Sequence, residues 1–349
     1  MNKINIIYCE DSYQKMWNMF VFFENEPTVK DFLFSKYSAL DNAEKSKLAF
    51  ENTLKFIYFI KQSKEYFYSA NISNILVKPL LIYYGMASLM KAFILTKDPY
   101  YPRKVGVLRH GLSTRKLKKT NFHFLDDEIK IQKEGLLPIF YNLLTGNTLI
   151  EGSKFKIKEL LSLIPELNDS YYKLYKDKKI YPLYLEHIID NSSIELTTNN
   201  DVLLLFNNDV NKFLHNINHF FESDNSFDIK NKNNLNQLIL TWKTKLAKPF
   251  DYENPFNHPL ILQDCKGNYY YRYIDNPNLM LPEIIIEFLI MYNLGILCRY
   301  DTELWCEIIF TFSSEDIYII NEFINLSLRK FPNLILNNLF DEFIIFKKS

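Results

Sequence analysis

Residues 79–95 read PLLIYYGMASLMKAFIL, and this stretch decides the fold class. A proline opens it, and proline suits the first turn of a helix, where its missing N–H is not needed. Asp98-Pro99 closes it, because the residue before a proline is pushed out of the α region. Between these stops the apolar side chains run nearly all round, with Lys91 as the single charge. A helix without a polar face is covered on several sides. Gly85, Ala87 and Ser88 are small, so a neighbouring helix is expected to approach closely there.

Helices extend outward from this one. Residues 10–24, 27–40 and 42–63 read as helices before it, with Pro27 in a first turn and Phe50, Leu54, Ile57 and Phe59 near helical spacing. Short helices are expected at 124–134 and 155–164, and an amphipathic one at 208–222. Four more are expected at 282–299, 302–312, 315–330 and 332–345, with Ser313 or Ser314 capping the third and Pro332 opening the fourth. The middle differs. YPLYLEHII and SIELTT, within 180–206, are β-prone. HPLILQDCKGNYYYRYI (258–274) places a Lys-Gly-Asn turn between two apolar runs, a hairpin signal. The Asn-rich residues 223–236 read as a linker or mobile loop. The expected fold is mainly α (α+β), a multi-helix bundle with a small antiparallel β element in the middle. Three regions follow: 1–175, 176–280 and 281–349, the last packed with the first.

The composition narrows the classes. Hydrophobic residues at 48% and charged residues at 23% are ordinary for a globular chain. Only 8 glycines in 349 residues exclude a low-complexity chain. Lys plus Arg equal Asp plus Glu at 41 each, so net charge supplies no case for nucleic acid or membrane, and a local patch must supply it. Cys9, Cys265, Cys298 and Cys306 form no CxxC pair, which argues against a zinc ribbon or a thioredoxin-like site and for reduced thiols. The first residues lack the basic and apolar pattern of a signal peptide. Leu279–Cys298 is apolar but carries Pro282, Glu283, Glu287 and Asn293, so it reads as a buried helix. A cytoplasmic protein without a membrane segment is expected.

The strongest local departure is 103–119. It holds Arg103, Lys104, Arg109, Arg115, Lys116, Lys118 and Lys119 with no acid, around His110-Gly111 and the hydroxyls of Ser113 and Thr114. Cations beside a glycine turn can hold a phosphate, and a histidine there can move a proton near neutral pH. Against this, Asp126, Asp127 and Glu128 follow closely and can neutralise the patch. A second cluster, Arg299 to Trp305, joins two helices. Arg299 there can pair with Glu303 or Glu307, stack on Trp305, or line a pocket shared with the basic segment. His215 and His219 are four apart, but no third ligand follows, so no metal is assigned. There is no P-loop, GxGxxG, GxSxG or kinase signature, and no cofactor is called for.

The segments VKPLLIYYGMASLMKAFILTKDPYYP, VLRHGLSTRK, FLDDEIKIQKEGLLPIF, LLSLIPEL, LPEIIIEFLIMYNLGILCRYDTELWCEI and FSSEDIYIINEF, in that order, resemble the YaaC-like family. The helix at 79–95, followed by a loop and His-Gly, also resembles HEPN-type helical bundles. Many of those are metal-independent ribonucleases or RNA-binding relatives in stress or antiviral defence. Their motif is an Arg, four to six residues, then a His; Arg103 and His110 fit, although the motif normally lies on a helix and this stretch reads as a loop. That resemblance implies His110 activating a ribose hydroxyl, Arg103 stabilising the phosphate, and a homodimer.

The leading expectation is an RNA- or nucleotide-phosphate-binding protein with a ribonuclease role. It rests on His110 and Arg103, with Arg109, Arg115, Lys116, Lys118 and Lys119 holding phosphate. The alternatives are a noncatalytic component docking an acidic protein partner, and an enzyme acting on a small phosphorylated metabolite.

Overall fold

A computed structural model of the protein describes residues 3–114, 123–190, 193–219, 225–232, 237–244, 258–310 and 315–348. Strand β1 (Lys3–Cys9) leads into helices α1 (Ser12–Phe20) and α2 (Glu26–Lys36). Asp11 and Asn25 cap these two helices, each accepting a first-turn backbone N–H. Helix α3 (Asn42–Ile72) begins at Asp41, which accepts from the N–H groups of Ala43 and Glu44 at 3.0 Å each. Helix α4 (Lys78–Lys97) occupies the stretch that decided the fold class, with Pro79 in its first turn and Asp98 just past its end. Then come β2 (Leu112–Thr114), β3 (Glu128–Ile131), α5 (Leu136–Thr145), β4 (Lys154–Lys156), α6 (Ile157–Leu161) and α7 (Asn168–Tyr175). The middle holds β5 (Ile180–Asp190), β6 (Ser193–Asn199), α8 (Val210–Asn218), β7 (Asn225–Lys232), β8 (Gln237–Thr244), β9 (Ile261–Gln263) and β10 (Tyr269–Arg272). Helices α9 (Glu283–Tyr300), α10 (Thr302–Phe310) and α11 (Asp316–Phe340) precede the last strand, β11 (Glu342–Lys348).

The chain divides into two compact units. The helical unit comprises 8–161 and 281–340, with the last two residues, so helices from both ends of the chain share it. In it α3 packs along α4, and α4 also meets α5, α9 and α11. The approach of α3 to α4 is close because Gly85 has no side chain. A Cβ there would lie 2.7 Å from the Phe67 ring, and the Ser63 hydroxyl donates to the Gly85 carbonyl at 2.9 Å. Helix α4 is long and apolar enough to cross a membrane by length and composition, and 78% of that window is buried. Strands β2, β3 and β4 form a small antiparallel sheet of this unit.

The sheet unit comprises 1–7, 162–280 and 341–347. Its antiparallel sheet runs in the order β7-β8-β6-β5-β10-β9, and Leu196, Phe213, Phe227, Leu240 and Tyr271 lie in the core it builds with α8. The hairpin β9–β10 turns at Gly267 (φ +88°), where the Asp264 carboxylate accepts from the N–H groups of Lys266 and Asn268. Strands β1 and β11 pair separately, with Asn5 donating to Glu342 at 2.9 Å.

The mainly α fold with antiparallel sheets is present, and four local expectations change. Residues 124–134 hold a short 3-10 turn and β3 rather than a helix, because Ile129 and Ile131 alternate with exposed Lys130. The Asn-rich 225–232 is an edge strand, not a linker; Phe227 is buried against the core while the intervening side chains stay polar. The two helices expected on either side of Pro332 are one helix, α11. A proline inside a helix costs roughly 3 kcal/mol, and the burial of Phe331, Ile335 and Leu336 around it offsets that loss. Residues 342–348 form β11 rather than the end of a helix. All four cysteines are unpaired.

Candidate functional site

The basic segment leaves α4 past anchors from α3 and from Tyr37, just beyond α2. The Asn52 amide donates to the Pro99 carbonyl at 2.7 Å, and the Tyr37 hydroxyl donates to the Leu95 carbonyl at 3.0 Å. Arg103 forks onto Asp98, with Nε to Oδ2 at 2.9 Å and Nη2 to Oδ1 at 2.8 Å, and its guanidinium lies 5.3 Å from the Tyr100 ring centre. The carboxylate beside it holds the guanidinium pKa above its ordinary value. Lys104 reaches Glu134 at 2.5 Å. Among the described residues, Arg103 and Lys104 are neutralised by Asp98 and Glu134 rather than by the acidic triplet. Asp127 is buried, accepts from Asn293 at 2.7 Å and is pushed up by that burial, while Glu128 lies 3.5 Å from Lys154.

Two glycines fix the next three residues. Gly111 (φ +80°) and Gly135 (φ +147°) cross at contact distance; a Cβ on Gly135 would meet the Gly111 nitrogen at 2.2 Å. Only residues without side chains allow this crossing. Across it the N–H groups of Leu136, Leu137 and Gln132 donate to the carbonyls of Arg109, His110 and Gly111 at 2.7, 3.2 and 2.9 Å. Gln132 also donates to the Ser113 hydroxyl at 2.6 Å.

His110 is thereby held, half-buried, against α4 and α9. Its Nδ1 is hydrogen-bonded to the Tyr83 hydroxyl, and its ring lies 5.4 Å from that of Tyr83 and 5.8 Å from that of Tyr292. With the buried phenol as donor, Nδ1 accepts and the imidazole proton lies on Nε2. Tyr292 donates to the Leu112 carbonyl at 3.0 Å. Burial pushes both phenols up, Tyr292 to about 12. Burial also pushes the His110 pKa down, assisted by the positive charges of Arg299 and Lys91. The imidazole is accordingly neutral at pH 7.

Arg299, at the end of α9, is with Lys91 one of the two cations whose charge acts on His110. It donates from Nη1 to the Tyr84 hydroxyl at 2.5 Å and lies 4.2 Å from the Tyr300 ring centre. Its Nε is buried without a partner, and it makes no ion pair among the described residues. Tyr84 in turn stacks on Tyr66 with ring centres 5.8 Å apart. Of the alternatives read for Arg299, stacking on Trp305 is not the one adopted; its guanidinium lies on Tyr300. Trp305 is buried and donates to the Leu76 carbonyl at 3.0 Å, a structural role.

Adjacent tyrosines of α4 hold the two groups, Tyr83 bonding His110 and Tyr84 bonding Arg299, while Arg103 faces Asp98 and Tyr100. Arg109 is exposed. Arg115, Lys116, Lys118 and Lys119 lie outside the described residues. The sequence reading missed Tyr66, Tyr83, Tyr84 and Tyr300. The adjacent tyrosines of α4, inside a helix without a polar face, were the available signal, because buried hydroxyls need partners. His215 and His219 have rings 5.9 Å apart, and among the described residues no group of three His, Cys, Asp or Glu is placed to hold a metal. His258 accepts from the Leu260 N–H at 3.1 Å and bonds the Ile217 carbonyl at 2.8 Å; its pKa is pushed down to about 4 by burial, as in a structural histidine.

Among the comparisons with known proteins, a family model described as YaaC-like Protein matches residues 21–339. No curated protein and no solved structure matches the chain.

Proposed function

The chain belongs to the YaaC-like family over a span that includes every residue of the His110–Arg299 site, and from that site we propose that the protein binds single-stranded RNA with one phosphate seated on Arg299 and His110. The observation that carries this reading is the guanidinium of Arg299, bonded to a phenol and without an ion pair among the described residues. A half-buried cation without a counter-ion is costly, and a bound phosphate oxygen relieves that cost. The Nε2–H of a neutral His110 supplies a second donor toward the same anion. Tyr300, 59% exposed, and the Tyr66–Tyr84 pair offer faces on which bases can stack.

Binding is favoured over cleavage. The ribonuclease reading asks His110 and Arg103 to face one phosphate, and Arg103 is committed to Asp98. In the tautomer where the Tyr83 hydroxyl donates to Nδ1, His110 carries its proton on Nε2 and has no free lone pair to take the proton of a ribose hydroxyl.

Fluorescence anisotropy with a short labelled single strand tests the proposal. Affinity should fall with salt, at a slope of about −0.7 per phosphate neutralised. Arg299→Ala should weaken binding about tenfold, equivalent to one charge-assisted hydrogen bond of about 1.4 kcal/mol. Arg299→Lys should recover only part, since an ammonium cannot reproduce the planar stack. An unchanged dissociation constant in Arg299→Ala overturns the reading. Strand scission that disappears in His110→Ala would restore the catalytic one.

A further inference from the structure

A cavity of about 560 Å³ opens in the helical unit between the end of α4, residues 98–107 and α5. That volume lies in the range of small-molecule sites, roughly 300–1,000 Å³. His110 and Arg299 do not line it. Its walls include Val107, Pro138, Ile139 and Leu143, which suit an apolar body. Its lining also carries four cations and two carboxylates. Arg103 is matched by Asp98 and Lys104 by Glu134, whose carboxylate also feels the charge of Lys133, so the lining carries two more cations than carboxylates.

A second observation is independent of charge. Tyr101 lines the cavity and is 3% exposed, yet its buried hydroxyl has no hydrogen-bond partner among the described residues. Buried polar groups in folded proteins are almost always satisfied, so an orphaned hydroxyl in a cavity wall marks where a ligand atom belongs. The first N–H groups of α5 cannot serve the ligand, because those of Leu136 and Leu137 are bonded across the glycine crossing. Side chains must hold the anion.

We propose that this cavity binds a small phosphomonoester carrying an apolar or aromatic group. Lys97 and Lys133 face the dianion, the Tyr101 hydroxyl bonds an oxygen or nitrogen acceptor of the ligand, and its body lies on Val107, Ile139 and Leu143. The site is separate from the RNA reading and stands without it.

Isothermal titration of the full chain tests it with four probes: adenosine monophosphate, uridine monophosphate, phenyl phosphate and inorganic phosphate. The neutral nucleosides and phenol serve as uncharged counterparts. At least one of the three esters should bind with a dissociation constant below about 1 mM, a modest −4 kcal/mol, and tighter than both its uncharged counterpart and inorganic phosphate. Lys97→Ala/Lys133→Ala should lower that affinity at least tenfold. Tyr101→Phe should weaken it severalfold while leaving the melting temperature of the free protein unchanged or higher, since an unsatisfied buried hydroxyl is removed. Arg299→Ala should leave it unaltered, which separates this site from the RNA-binding one. If none of the esters binds below 1 mM, or if affinity survives in both variants, the proposal is overturned. An ester supported by inorganic phosphate alone, with no gain from the apolar group, overturns it as well.

Discussion

Arg103 and Arg299 are both arginines beside a tyrosine ring, and they occupy opposite electrostatic situations. Arg103 lies on the surface with two hydrogen bonds to Asp98, whereas Arg299 is half-buried, bonded to a neutral phenol and without an ion pair among the described residues. The sequence shows a dense basic run around the first and an isolated cation at the second. At Arg103 and Lys104 the dense run is spent on Asp98 and Glu134, whereas the isolated cation makes no ion pair among the described residues. Charge density along a chain is therefore a poor guide to binding; the counter-ions that folding brings within reach decide it.

Lys330 marks the far end of that comparison, a fully buried cation paired with Glu283. Lys330→Met should cost about 3–5 kcal/mol, because it strands a buried carboxylate. Chemical denaturation measures it, and adding Glu283→Gln should recover much of the loss. A neutral Lys330→Met would show that partnered cations are not what holds this core. Gly135→Ala should cost about 3 kcal/mol or more, since the new Cβ meets the Gly111 nitrogen and the backbone lies at φ +147°. Retention of the wild-type melting temperature would mean that the crossing does not fix His110 in place.

Acid should act in the same direction at two histidines. Both His110 and His258 have folded pKa values below the unfolded 6.5, so the unfolded chain binds protons first and stability falls as pH drops below about 6.5. For His258, with a folded value of about 4, the loss should reach roughly 2 kcal/mol by pH 5. Melting curves between pH 7 and pH 5 check the sign, and an imidazole titration by NMR should place both midpoints below that of a free histidine. Normal midpoints would remove the positive surroundings invoked for His110. The smallest effect belongs to the opening pair itself. Arg103→Ala should change stability by less than about 1 kcal/mol, as exposed ion pairs do, and RNA affinity by less than twofold, against the tenfold loss in Arg299→Ala. Equal losses in the two variants would erase the distinction between them.

Much of the helical unit was legible. Pro79 and Asp98 bounded α4, and Gly85 announced the close approach of α3. The hairpin around Gly267 was marked by its turn residues, and β5 and β6 by their β-branched and aromatic content. Strands β2, β3 and β4 were not, because three or four residues are too few to show a period. Strand β7 was hidden by its position at a sheet edge, where one face and one side meet solvent.

The candidate site divides in the same way. His110 and Arg299 were each visible as residue types able to hold an anion, and the glycine beside His110 marked a backbone that must turn. That adjacent tyrosines on a third element hold both was not visible, since 188 residues separate them in the chain. Local propensity and periodicity act over a few residues, and these the sequence determined: which stretches coil, which extend, where helices begin. Which cation keeps its charge unpaired, and which hydroxyl is buried without a partner, depends on groups far apart in the chain being packed together, so the tertiary structure alone decided it.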